Sequence, residues 1–108
     1  MKKRVLLVEE PMVPGEVFDE RIAAALDLER GLPYSRDISA AWQVAVAMGV
    51  DYSLFHLHHV PADSWYPDGF VSSHWECQFE DGPEMEAVTV AHAICLAALH
   101  CKYQIQKG

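Results

Sequence analysis

The longest apolar segment in the chain, Thr89-Val-Ala-His-Ala-Ile-Cys-Leu-Ala-Ala-Leu-His-Cys101, restricts the fold more than any other stretch. Ala93 to Leu99 are seven consecutive apolar residues, rich in Ala and Leu and free of Gly or Pro, which favours helix. Thr89 precedes them with a side chain suited to an N-cap. Wound as a helix, the segment lines up Ala91, Ile94, Cys95, Ala98 and Cys101, while Leu96, Leu99 and Tyr103 widen that stripe well past a narrow seam. Burying Ile94, Leu96 and Leu99 at roughly 1.5–3 kcal/mol each supplies a large share of a small domain's net stability. A bilayer span needs about 20 apolar residues, so the segment predicts a buried core helix rather than a membrane anchor.

The rest of the chain can be read around that helix. Val5 to Val8 is β-branched and Leu-rich, an edge strand in an N-terminal extension (1–14) that Pro11 and Pro14 interrupt. From Gly15 to Arg30 a helix is expected, with Phe18, Ile22, Ala25 and Leu26 on one face and Gly31 and Pro33 ending it. Its acids Asp19, Glu20, Asp27 and Glu29 read as a solvated face. Ser35 or Asp37 can cap a second helix running to Met48, with Gly49 at its end and Ile38, Ala41, Trp42, Ala45 and Met48 as its buried side. Trp42 is the expected anchor there, because its ring offers the largest burial.

After Gly49 the period falls to two. Val50 to Val60 and Phe70 to Phe79 predict a hairpin with a long turn-rich loop, Pro61 to Gly69. Val71, Ser73, Trp75, Cys77 and Phe79 share the core face. A hairpin symmetric about Trp65 would set Phe55 opposite Trp75, Leu57 opposite Ser73, Ser53 opposite Cys77, His56 opposite His74 and His58 opposite Ser72. A third strand, Glu84 to Val88, then leads into the core helix. The expected architecture is α+β: an αβα-type single domain over residues 15–108, with an antiparallel sheet of about three strands packed with three helices.

A chain of 108 residues fits one domain. Sixteen acids against eight Lys plus Arg give a net charge of −8, which argues against a phosphate-binding surface and so against direct nucleic-acid binding. The three cysteines, with no secretory leader, argue against a disulfide framework and for a cytoplasmic setting. No glycine-rich phosphate loop is present.

Pro33-Tyr-Ser-Arg-Asp-Ile-Ser-Ala-Ala-Trp42, the hairpin with Trp75-x-Cys77-x-Phe79, and Thr89 to Leu99 together resemble the phage ABA sandwich domain family, small phage and prophage proteins without a settled molecular function. The likeness covers roughly Ala23 to Leu99 and rests on packing motifs. It implies a bacterial host cell and the αβα-type fold, and says little about chemistry. Residues 1–14 and the short segment between the first two helices depart from the family pattern.

Three functional readings follow. The first is a non-enzymatic phage accessory protein that binds a protein partner, basic or itself nucleic-acid-binding, and inhibits host defence in the manner of an anti-CRISPR protein. Its contact residues would be Asp63, Trp65, Tyr66 and Asp68, where acids and aromatics share one loop. The second is a small-molecule sequestering protein, with a pocket near Trp65, Tyr66 and Trp75. The third is a metal-dependent enzyme using His56, His58 and His74, which the expected register gathers on one sheet face with Glu76 diagonal to them. His74 and Cys77 fall on opposite faces of their strand and cannot share a metal. His92 with Cys95 has ligand spacing, but Cys95 belongs to the core stripe. Cys77 and Cys101 lack a cationic neighbour that would activate a thiol, and Ser64 and Ser72 lack a triad context. No cofactor is expected, and a homo-oligomer is compatible with every reading.

Overall fold

The computed structural model describes residues 4–49, 55–60, 73–80 and 82–107. In chain order the elements are β1 (Arg4–Val8), α1 (Glu16–Leu26), α2 (Ile38–Ala47), β2 (Phe55–Val60), β3 (His74–Phe79), β4 (Met85–Ala87), α3 (Val90–Lys102) and β5 (Tyr103–Lys107). Strands β2, β3 and β4 form an antiparallel sheet in that order, and β1 pairs in parallel with β5. The expected α+β domain, with three helices and a three-stranded antiparallel sheet, is therefore present, with a small parallel sheet added.

Helix α3 lies between the antiparallel sheet, through β3 and β4, and helix α2. This position explains its composition. A helix covered on both sides needs no polar face, and Ala91 and Ala93 through Leu99 are all buried. Thr89 caps it as expected, accepting a hydrogen bond from the His92 amide. It packs against α2, whose buried residues Ala40, Ala41, Val44 and Ala45 join the same core cluster. Small side chains on both surfaces allow the two axes to approach closely.

The expectation for Trp42 is overturned. The buried side of α2 is made of the small residues Ala40, Ala41, Val44 and Ala45, and Trp42 is 47% exposed, with Ile38 58% and Val46 52% exposed on the same outer face. The cap is Asp37, whose carboxylate accepts from the Ser39 amide.

Helix α1 ends at Leu26 rather than Arg30, because Asp27 adopts the left-handed conformation (φ 55°) and its amide returns to the Ala23 carbonyl. Asp19 is not on a solvated face: it is only 4% exposed. Its Oδ1 accepts from the Ser35 amide (2.7 Å) and the Ser35 hydroxyl (2.5 Å), and its Oδ2 from Arg36 Nε (2.9 Å) and Nη2 (2.8 Å). The Ser35 hydroxyl in turn accepts from the Gly15 amide at the start of α1. A buried carboxylate needs such partners, and the network ties the start of α1 to the start of the segment leading into α2.

Tyr103 does not extend the stripe of α3. It begins β5, where Tyr103 and Ile105 are half-buried and Gln104 and Gln106 are exposed, the alternation of a strand. Its hydroxyl donates to the Ala25 carbonyl at 2.8 Å. The partner strand β1 comes from the N-terminal extension, and Val8 is buried.

The hairpin register differs from the symmetric expectation by four residues. Phe55 pairs with Phe79, His56 with Gln78, Leu57 with Cys77, His58 with Glu76, His59 with Trp75 and Val60 with His74. A slip by an even number leaves every residue on its expected face. It sets Leu57 opposite the fully buried Cys77, over α3, instead of opposite Ser73.

Candidate metal centre

Alternation along β2 and β3 sorts the hairpin into two chemistries. Leu57, Cys77 and Phe79 face α3, joined by Ala87 of β4. The opposite face carries His56 and His58 from β2, His74 and Glu76 from β3, Glu86 from β4, and Glu84 from the segment just before it.

The donor atoms of this face approach one another closely. One donor atom each from His56, His58 and Glu84 lie within 4.8 Å of one another, and the same holds for His74, Glu76 and Glu86. His56 Nε2 and His58 Nδ1 are in hydrogen-bonding contact, with ring centroids 4.5 Å apart and planes at 66°. His58 Nε2 lies 3.7 Å from Glu76 Oε2, and His74 Nε2 lies 3.5 Å from Glu76 Oε1 and 3.9 Å from Glu86 Oε1. Glu76 and His74 are tucked down, with side chains 17% and 16% exposed, whereas Glu86 is 67% exposed.

The carboxylates are crowded. Glu76 and Glu86 are direct cross-strand partners, an arrangement that is unfavourable for like charges. The hydrogen bond with Glu84 holds the Glu76 carboxyl below the usual carboxylate range, with His58 and His74 adding to the effect. The same contact pushes Glu84 up, so of the two it is Glu84 that retains a proton more readily. Imidazoles and carboxylates side by side are the donor set of zinc and its first-row neighbours.

The three histidines singled out in the sequence thus do share one face, but through a different pairing: His58 faces Glu76 directly, and His74 faces Val60. Glu84 and Glu86 went unrecognised as candidates. Their period-two spacing at the start of a strand was the available signal, and only the pairing of β4 with β3 brings them to the histidines.

Asp63, Trp65, Tyr66 and Asp68 lie outside the described residues, as do Ser64 and Ser72. Trp75 is half-buried and stacks beside His59 at 5.0 Å, and His59 contacts the Ser73 hydroxyl at 2.6 Å. His92 is in hydrogen-bonding contact with the Met12 carbonyl through Nε2 and meets the edge of Phe18. Cys95 donates to the Tyr34 carbonyl in the core, and burial pushes its thiol up. Burial likewise pushes the Cys77 thiol up to about 12, so neither cysteine is an activated nucleophile.

Fold and face together define a small α+β domain whose antiparallel sheet carries a face of histidines and glutamates. No family model matches the chain, and no curated protein or solved structure matches it at a significant level. Among the described residues, no helix is long and apolar enough to cross a membrane.

Proposed function

We propose that this protein binds a divalent first-row cation, zinc foremost, on the outer face of its antiparallel sheet. The observation that carries this reading is the convergence of His56 and His58 of β2 with Glu84 from the segment before β4, with donor atoms within 4.8 Å of one another. Two imidazoles and a carboxylate are the protein ligands of many zinc sites. A cation there would also relieve the repulsion between neighbouring carboxylates. Thermal unfolding with added zinc tests the reading. At a zinc concentration a hundredfold above Kd, linkage adds about 2.7 kcal/mol, equivalent to roughly 10 °C for a domain of this size. The His56→Ala/His58→Ala variant should lose the shift; an unchanged wild-type midpoint together with no zinc retained on dialysis would overturn the reading.

Protein binding is a second reading, favoured by α2. Ile38, Trp42 and Val46 recur at helical spacing on its outer side and are about half exposed, a stripe suited to contact with another protein. The resemblance to the phage ABA sandwich domain supports a setting in the bacterial cytoplasm as a phage accessory protein, and the net charge of −8 suits a basic partner. Light scattering across a concentration series tests the self-association version. Dimerisation lost in Trp42→Glu supports it, and a monomer throughout the series overturns it.

A further inference from the structure

The two oxygens of Glu76 are turned toward different histidines. Oε2 stands 3.7 Å from His58 Nε2, and Oε1 stands 3.5 Å from His74 Nε2. Behind His58 are His56 and Glu84; beside His74 is Glu86. The six donors therefore form two sets that meet at one carboxylate.

A single ion cannot collect both sets. His56 pairs with Gln78 while His74 lies four residues along the same strand, a separation of about 13 Å at roughly 3.3 Å per residue. Imidazoles rooted that far apart cannot both approach one ion to about 2.0–2.1 Å. Donor atoms of His56, His58 and Glu84 lie within 4.8 Å of one another, as do those of His74, Glu76 and Glu86, and Glu76 reaches the first set through His58. Two ligands at that bond length and a tetrahedral angle stand about 3.4 Å apart, and the oxygens of Glu76 are already within a few tenths of an ångström of this distance from their histidines. Carboxylate-bridged ion pairs are typically about 3.5–4 Å apart, which is within the span of one carboxylate offering an oxygen to each side.

Resting on the cation-binding reading above, we propose that this face holds two zinc-class cations bridged by the Glu76 carboxylate. His56, His58, Glu84 and Glu76 Oε2 bind one; His74, Glu86 and Glu76 Oε1 bind the other. Three carboxylates against two divalent ions leave the occupied face near neutral, so the ions offset a crowding of acids that is unfavourable without them. The second subsite has one imidazole and an exposed carboxylate, Glu86, and is the weaker and more open of the two. Water would complete its coordination shell.

The test is zinc stoichiometry on the full chain by calorimetry and metal analysis, with circular dichroism to confirm folding. Wild type should take up two equivalents, and Glu76→Gln, which keeps the shape but cannot offer two anionic oxygens, should fall to one. His74→Ala should also fall to one, with the tighter subsite retained. Loading with manganese gives an independent readout, since two bridged ions produce an exchange-coupled paramagnetic resonance spectrum that Glu76→Gln abolishes. One equivalent in wild type, lost in His56→Ala/His58→Ala, would overturn the bridge while leaving cation binding intact. Two equivalents that persist in Glu76→Gln would overturn it in favour of independent sites, and no zinc uptake would overturn both readings.

Discussion

Replacing Asp19 with alanine should destabilise the domain by about 2–4 kcal/mol, although the residue lies on a helix whose acids look solvated in the sequence. The magnitude follows from the partners left behind. The Ser35 amide is fully buried and would lose its acceptor, which costs about 1–3 kcal/mol. The Ser35 hydroxyl would lose one partner but keep the Gly15 amide. The Arg36 side chain is 47% exposed and can turn to water, so its ion pair adds at most about 1 kcal/mol. Urea denaturation followed by circular dichroism reads the change directly, and the melting temperature should fall by about 8–16 °C. Asp19→Asn keeps an oxygen for Ser35 but sets an amide against the guanidinium, so it should fall between wild type and alanine. Arg36→Ala should cost under about 1 kcal/mol. The reasoning fails if Asp19→Ala unfolds within about 0.5 kcal/mol of wild type, or if Arg36→Ala is equally damaging, which would locate the stabilisation in the ion pair and not in the buried amide.

Two further outcomes are expected. Gly82→Ala would place a Cβ 2.9 Å from Cys101 Cβ and 3.0 Å from both Cys101 Cα and the Phe79 carbonyl oxygen; such crowding costs about 1–3 kcal/mol, and an unchanged denaturation midpoint would show that the turn can move away from α3. Because disulfide exchange needs the thiolate and burial raises both thiols, Cys77 to about 12, native protein at pH 8 should release a disulfide reagent's chromophore from neither Cys77 nor Cys95 until denaturant is added. Rapid modification of either in the native state would contradict the burial described for the core.

Neighbouring residues alone specify the core helix, its Thr89 cap, the extent of α2, the antiparallel hairpin and the sorting of its residues between two faces. Each is a local property: an unbroken apolar run, a capping side chain, or a period of 3.6 or two is written into neighbouring residues. Other features depend on partners far away in the chain. Trp42 faces outward because the small residues Ala40, Ala41, Val44 and Ala45 take the side of α2 that packs into the core, and Asp19 is buried because Ser35 and Arg36 arrive to receive it. Strand β5 exists because β1, about a hundred residues earlier, pairs with it. The His–Glu face shows both kinds of information. Alternation placed His56, His58, His74 and Glu76 on one side of the hairpin, since that needs only the pleat, but which residues meet across the strands is a matter of register. The pairing of β4 with β3 is what brings Glu84 and Glu86 to the histidines.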